Sequence, residues 1–138
     1  MKFNRFLFYF LNFTWGILMN LIGLLGAGLM LAFGKRPNVH GGSVIFRIGR
    51  GWGGFNAGIF SFVSENASQH TLNHEFGHAV QNAWFGPFFI FLVMIPSVTR
   101  YHYRNWCEKH GRPLITKYDD IWFEGQATEW GTEMYLHW

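Results

Sequence analysis

The sequence predicts an α+β fold, in which one long apolar helix precedes a small β-sheet and two further helices. Three observations support this prediction: an uncharged run over residues 6–33, short stretches of β-branched and aromatic residues between positions 44 and 63, and a helical spacing of apolar side chains after Ser68. A chain of 138 residues is expected to form one domain at most. Only 14% of the residues are charged and 20% are aromatic, so the composition differs from that of a typical soluble protein.

The first predicted element is a transmembrane helix. Residues 6–33 carry no charge, and basic residues flank them at Arg5, Lys35 and Arg36. As a helix with a rise of about 1.5 Å per residue, this run exceeds the roughly 30 Å of a hydrocarbon core. A secretory signal peptide is the alternative, but its apolar region is usually about 7–15 residues long and ends at a small-residue cleavage site. We therefore predict that residues 1–36 form a single-pass membrane anchor.

The charge pattern bears on the side of the membrane and on the partners. More basic residues follow the apolar run than precede it, so the positive-inside rule places residues 37–138 on the cytoplasmic side. The single Cys107 does not decide this, since one cysteine forms no internal disulfide in any compartment. Residues 100–112 are basic and aromatic-rich, which favours an anionic membrane surface over nucleic acid, with a solvated loop as the alternative. We expect a lipid bilayer and no nucleic acid as partner, and the sequence leaves the oligomeric state open.

Short strands are expected after the apolar run. Residues 37–42 have the composition of a connector, whereas residues 44–48 and 58–63 have the β-branched and aromatic composition of strands. The glycine-rich residues 49–54 between them indicate a turn or a flexible loop. Together these segments predict a short β-sheet.

A helix that begins after Ser68 carries the most informative residues. Ser68 has the side chain of a helix N-cap. Apolar side chains within residues 72–83 fall on one face at helical spacing, while His74, Glu75 and His78 gather on the other. The pattern predicts an amphipathic helix of at least three turns.

Two further segments complete the predicted fold. Residues 84–98 are uncharged, and Pro87 and Pro96 interrupt them. A last helix is expected from residues 119–120 to about Tyr135, because carboxylates are favoured at the positive N-terminal end of a helix.

His74, Glu75 and His78 have the spacing of an H-E-x-x-H motif. Histidines four positions apart project from the same helix face, so both imidazoles can reach one tetrahedral Zn²⁺ ion. Glu75 then lies beside the metal without binding it, where it can take a proton from the attacking water. Two surface histidines on an ordinary helix are the alternative. The metzincin extension of the motif is excluded, because it needs glycine and histidine where this chain has Gln81 and Trp84.

Two short blocks resemble a known group of enzymes. HEFGHAVQ at residues 74–81, followed by Glu-Gly-Gln-Ala at residues 124–127, is similar to the gluzincin group of zinc metallopeptidases. In that group a glutamate from a later helix completes the zinc site, so the resemblance implies Glu124 as the third ligand beside His74 and His78. The alternatives for this third ligand are Asp119, Asp120, His102 and His110.

The resemblance also implies an activity. Residues 37–138 would form a minimal zincin-like domain that hydrolyses bonds in a peptide or protein substrate, with Zn²⁺ as cofactor and Glu75 as general base. In zincins an edge strand beside the cleft pairs with the extended substrate, and residues 55–63 correspond to that strand by position; a plain structural strand is the alternative. The oxyanion of the reaction needs a side-chain donor. The candidates for it are Tyr118, Tyr101, Tyr103, His102 and His110.

One position departs from the gluzincin pattern. Many such enzymes have an aspartate four residues after the ligand glutamate, where it orients a zinc-bound histidine, and this chain has Thr128 there. Loss of such support typically lowers metal affinity or activity about 10–100-fold. Glu129 and Glu133 point well away from Glu124 on a helix, so a solvated face suits them better than the metal.

A single metal ion constrains how the second uncharged segment meets the membrane. If residues 84–98 crossed the bilayer, the two histidines would lie on one side and Glu124 on the other, and the charged residues 99–118 could not return cheaply through hydrocarbon. We therefore predict that residues 84–98 are embedded in the interface, or dip in and back.

Two other functions compete with this interpretation. An intramembrane peptidase of the site-2-protease type has a similar motif, but it needs several spans and a late aspartate in an L-D-G setting, which this sequence lacks. A non-catalytic membrane protein with a structural zinc site or an interaction role is the second alternative.

Overall fold

The computed structural model of the chain describes residues 4–114, 117 and 120–138. Within those residues the predicted α+β class is confirmed, with five α-helices and one four-stranded sheet. In chain order the elements are α1 (Arg5–Phe13), α2 (Ile17–Ala32), β1 (Asn38–His40), β2 (Ser43–Arg47), β3 (Gly54–Ala57), β4 (Phe60–Val63), α3 (Gln69–Phe85), α4 (Ile95–Lys109) and α5 (Trp122–His137).

The apolar run over residues 6–33 is not one helix, which corrects the prediction of a single transmembrane helix. α1 ends at Phe13, α2 begins at Ile17, and the two are bent by 87° relative to each other. Among the described residues, no helix alone has both the length and the apolar composition to cross a membrane. Two bent pairs of helices do have them together: α1 with α2, and Gln69–Phe88 with Ile90–Lys109, the latter bent by 118°.

Buried asparagines stabilise the break between α1 and α2. The Asn20 side-chain amide donates to the Asn12 carbonyl at 2.7 Å and to the Gly16 carbonyl at 3.1 Å. From α3, the Asn82 amide donates to the same Gly16 carbonyl at 3.0 Å and to Asn12 Oδ1 at 2.8 Å. These side-chain amides donate to carbonyl groups at the break between the two helices, so these carbonyl groups have partners despite the bend.

Both N-terminal helices contribute to the hydrophobic core. Phe8 of α1 packs edge-to-face against Phe76 of α3 and against Trp138, with ring centroids 5.6 and 5.1 Å apart. Met19 of α2 is buried in a second cluster that includes Phe89. Residues predicted as an anchor therefore also pack directly on α3 and on the chain that follows it.

The sheet has the strand order β1-β2-β4-β3. β2 and β4 run parallel, while β1 pairs with β2 and β3 pairs with β4 in antiparallel register. The strands predicted at residues 44–48 and 58–63 are confirmed as β2 and β4. The predicted connector is wrong in part, because β1 forms within it; His40 at the end of β1 is held by Asn73 of α3 at 2.7 Å and stacks on Tyr135 of α5.

The prediction of one edge strand over residues 55–63 is wrong, because these residues form two strands, β3 and β4, that pair as a β-hairpin. β3 and β4 are joined at Gly58, whose φ of +70° suits glycine. β3 ends the sheet, and no other described strand pairs with its outer side. The carbonyl of Gly53 accepts a hydrogen bond from the Ser64 N–H. In an antiparallel pair only every second residue bonds the partner strand, so the N–H and C=O groups of Gly54 and Asn56 point away from β4.

Helix α3 is buried on all sides at its centre, so the alternative of two surface histidines on an ordinary helix is wrong. All residues from Leu72 to Ala83 are buried. The polar side packs on α5, and two glycines allow the backbones to approach closely. A Cβ atom at Gly77 would lie 1.7 Å from the Ala127 carbonyl oxygen, and one at Gly131 would lie 1.8 Å from the Asn73 carbonyl oxygen.

The uncharged segment between α3 and α4 turns back sharply. Gly86–Phe88 form a 3₁₀ turn that contains Pro87, and Ile90–Met94 form a π-helical turn ahead of α4. Pro96 lies in the first turn of α4 and has no N–H to donate to the preceding turn. This missing hydrogen bond accounts for the wider, π-helical form of that preceding turn. Residues 100–109 belong to α4, so the solvated-loop alternative for that stretch is wrong.

Candidate metal centre

Helices α3 and α5 bring together the three side chains that the sequence indicates as metal ligands. His74 Nε2 lies 3.6 Å from Glu124 Oε2, and His78 Nε2 lies 3.3 Å from Glu124 Oε1. One ligand atom from each residue lies within 4.8 Å of the other two. All three residues are buried, with exposed fractions of 7%, 5% and 0%. This group could hold a metal ion.

Each histidine Nε2 lies near a different oxygen of Glu124, at about the spacing expected between two ligands of a tetrahedral ion. Two ligands of a tetrahedron with metal–ligand bonds of about 2.0–2.1 Å are about 3.3 Å apart, and the histidine–carboxylate separations are 3.3 and 3.6 Å. Glu124 Oε2 is buried and accepts no hydrogen bond from the described residues. A bound cation would give this oxygen the partner that a buried carboxylate needs.

Each imidazole is held through its other ring nitrogen. His74 Nδ1 lies 2.8 Å from Thr128 Oγ1, and His78 Nδ1 lies 2.8 Å from Gln81 Oε1. The Gln81 amide is fixed in turn, because its Nε2 donates to the Phe123 carbonyl at 2.8 Å. With a metal ion bound, Nδ1 of each ring would be the hydrogen-bond donor and the Nε2 lone pair would face the ion. Thr128 thus supplies an acceptor where the gluzincin pattern has aspartate.

Glu124 is ionised despite its burial. Burial raises its pKa, but the facing imidazoles of His74 and His78 outweigh this effect, so the pKa of Glu124 lies well below its usual range. Ser97 of α4 donates a hydrogen bond to Glu124 Oε1 at 3.1 Å. The centre therefore holds a carboxylate ligand at neutral pH, and α4 folds back against it.

Glu75 lies beside the centre and is not part of it. Its side chain is buried, and Oε2 accepts no hydrogen bond from the described residues. Burial raises the pKa of Glu75, and the charges of His78 and His74 offset part of this rise. Glycine at position 54 leaves room for the carboxyl group, since a Cβ atom there would lie 2.8 Å from Glu75 Oε1. The structure thus places a buried carboxyl group of raised pKa beside the three candidate metal ligands.

Two cavities meet at Glu75. One, of about 250 Å³, extends past His78 between β3 and the start of α4. Its apolar lining consists of Trp52, Phe55, Phe89, Val93, Met94 and Val98. The other, of about 370 Å³, extends past His74. Its polar lining consists of His70, Thr71, Arg104, Asn105 and Glu108. Gly54 and Tyr101 line both cavities.

The structure narrows the set of oxyanion donors. Tyr101 lines both cavities, whereas His102 lines only the apolar one. Tyr103 on α4 and His110 just after it are exposed and line neither cavity. Tyr118 lies outside the described residues. Tyr101 is therefore the best-placed candidate of the described part of the chain.

Of the alternative third ligands, those in the described part of the chain do not belong to the group of candidate metal ligands. Asp120 is exposed, and its carboxylate accepts a backbone N–H three residues earlier in the chain. His110 is exposed and bonds a backbone carbonyl of its own helix. His102 faces the apolar cavity, and Asp119 lies outside the described residues. Glu129 is exposed, as expected.

Gln81 and Ser97 were not predicted as supporting residues, and Thr128 was expected to weaken the support of a histidine, whereas it contacts His74. Gln81 follows His78 by three positions, so helical spacing alone could have indicated its contact with that ligand. Thr128 contacts His74 from another helix, so its contact depends on the packing of α5 on α3. Ser97 comes from a different helix, and its approach depends on the sharp turn before α4, for which the sequence holds no comparable signal.

Comparisons of the chain with models of known protein families, with curated proteins and with solved structures found no match. The interpretation of the centre therefore depends on its own geometry and on the resemblance of two short blocks to gluzincins.

Proposed function

We propose that this chain is a membrane-associated zinc metallopeptidase of gluzincin type. One observation carries the proposal: the buried group of His74, His78 and Glu124 has one histidine on each of two cavities, and the buried carboxyl of Glu75 lines both cavities. Ligands for a metal and a base for water are the two parts that metal-assisted hydrolysis requires.

Zinc is the proposed ion because of the donor set. Two imidazole nitrogens and one carboxylate are a common set of three protein ligands in catalytic zinc sites, and they leave a fourth tetrahedral position. A zinc ion bound there would lower the pKa of water to about 7 and polarise a carbonyl group.

The side chains around the centre then have distinct roles. Glu75 accepts the proton of the attacking water, whose hydroxyl adds to the peptide carbonyl carbon. The same carboxyl delivers a proton to the nitrogen as the C–N bond breaks, so one water is consumed and an amine and a carboxylate are released. Tyr101 borders both cavities, and its hydroxyl donates a hydrogen bond to the carbonyl oxygen as negative charge develops there.

The membrane part of the proposal depends on exposed apolar side chains. Leu25 and Phe33 in the α2 region are 78% and 74% exposed, and Phe91 before α4 is 71% exposed. Such surface is costly in water and is favourable in lipid. The α1–α2 pair is the proposed site of bilayer contact, and the basic residues that follow it favour the cytoplasmic side for the remaining chain.

A structural metal site is the second candidate, because closed metal sites without a catalytic role also have fully buried ligands. The position of Glu75 distinguishes the two functions, since a structural site has no need of a base that opens onto a cleft.

Metal removal tests the proposal. The full chain, purified in detergent without chelators, is expected to hold about one zinc per chain by elemental analysis and to cleave members of a mixed peptide library. A chelator should abolish cleavage, and added zinc should restore it. Absence of both zinc and cleavage would overturn the proposal, whereas bound zinc without cleavage would support the structural site.

A further inference from the structure

The cleft changes polarity at the proposed base. On the His78 side, most of the cavity wall is apolar, with Phe55 of β3 and side chains from residues 89–98, although Asn56, Ser97 and His102 also line it. On the His74 side, the wall includes Arg104 and Glu108 of α4. Glu75 borders both halves, so a chain that lies along the cleft has its reacting bond where an apolar subsite meets a charged one.

The apolar wall is also close to the exposed apolar surface of the molecule. Phe89 and Val93 are buried and line the cavity, whereas Phe91 and Leu92 between them are exposed. A single helical turn thus presents one apolar face to the cleft and another to the outside. The charged half of the cleft lies further along α4, away from that turn.

We infer that the substrate is a polypeptide cut at the boundary between an apolar segment and a polar flank, as occurs where a membrane-inserted segment emerges into water. Its apolar side chains bind beside Val93 and Val98, and its polar flank binds beside Arg104 and Glu108. Each half of such a substrate meets a wall of its own polarity, so neither half has to be desolvated against an unsuitable surface. The inference deepens the proposed peptidase function and depends on it for the cleavage step.

Matched peptides test this inference in the full chain. Two peptides have the same composition: in one the apolar and polar residues form two consecutive blocks, and in the other they alternate. Both carry a photo-reactive residue, and their binding to the Glu75→Gln variant in nanodiscs is measured by competitive crosslinking. The block peptide is expected to bind at least about tenfold more tightly, because only it can place its apolar side chains in one subsite.

Two substitutions separate the cleft from general partition into lipid. Val98→Asp puts a charge in the apolar half, whereas Thr99→Asp puts the same charge on an exposed neighbour that does not line the cleft. Val98→Asp should remove the preference for the block peptide, and Thr99→Asp should keep it. Melting curves check that both variants fold. The comparison of the two peptides on the Glu75→Gln chain with Val98 intact does not depend on these two variants.

The outcomes separate this inference from the proposed function. Equal binding of the two peptides, or no binding of either, overturns the inference. Cleavage of both peptides at equal rates by the wild-type chain also overturns the inference, but it leaves the proposed peptidase function in place. Selective binding of the block peptide with cleavage of neither peptide by the wild-type chain supports the substrate class and contradicts the peptidase function.

Discussion

Thr128 makes the most specific contact that the structure adds to the sequence motif. Its hydroxyl lies 2.8 Å from His74 Nδ1, at the position where gluzincins commonly have aspartate. Thr128→Val keeps the shape of the side chain and removes the acceptor. The Nδ1–H group of His74 is then buried without this partner, at a cost of about 1–3 kcal/mol.

The expected effect is a weaker metal site. Part of that cost is present in both the metal-free and the metal-bound protein, and this part cancels in the binding free energy. We therefore expect zinc affinity to fall about 10–100-fold, the range typical when a ligating histidine loses its supporting hydrogen bond. Competition with chromogenic chelators in detergent measures this dissociation constant. Thr132→Val, one turn later on α5, is the matched control and should retain wild-type affinity.

A second substitution at the same position tests the direction of the reasoning. Thr128→Asp provides a charged acceptor, which forms the stronger kind of hydrogen bond, so zinc should bind at least as tightly as in the wild type. If Thr128→Val kept full zinc affinity while Thr128→Asp lost it, the contact between Thr128 and His74 would have no role in holding the metal.

Two further predictions concern the ligand on α5 and the packing of that helix. Glu124→Gln should lower zinc content far more than Glu129→Gln, because only Glu124 faces both histidines; equal zinc contents by elemental analysis would mean that another group binds the metal. Gly131→Ala should destabilise the fold by about 1–3 kcal/mol or more in thermal unfolding, since its Cβ would meet α3, whereas Gly28→Ala on α2 has open space and should be neutral or stabilising. A stable Gly131→Ala variant would contradict the close approach of α3 and α5.

The sequence predicted the centre better than it predicted the surroundings of the centre. H-E-x-x-H fixes His74, Glu75 and His78 by helical geometry alone, and the E-x-Q-A block identified Glu124. Each of these inferences needs only the register of one helix. Burial of the polar side of α3 was missed, because it depends on how α5 packs across it at Gly77 and Gly131.

The N-terminal run shows why hydropathy alone was insufficient there. Asn12 and Asn20 are uncharged, so they do not interrupt an apolar run, and the expectation was a continuous helix. The structure uses both side chains, with Asn82 from a distant helix, to bond the backbone at the break. Only the three-dimensional arrangement shows that these amides have such partners. The membrane anchor therefore stays a prediction, now for a bent pair of helices.

The most direct test of the central claim is Glu75→Gln. The substitution removes the proton acceptor and keeps the shape of the side chain, so zinc content and melting temperature should match the wild type, while cleavage of a peptide library should fall about 10²–10⁴-fold. Zinc analysis, thermal unfolding and cleavage are measured on both proteins in the same nanodiscs. Retained zinc with lost cleavage is the predicted result. Equal cleavage by the wild type and by Glu75→Gln would contradict the assignment of Glu75 as the general base of a zinc peptidase.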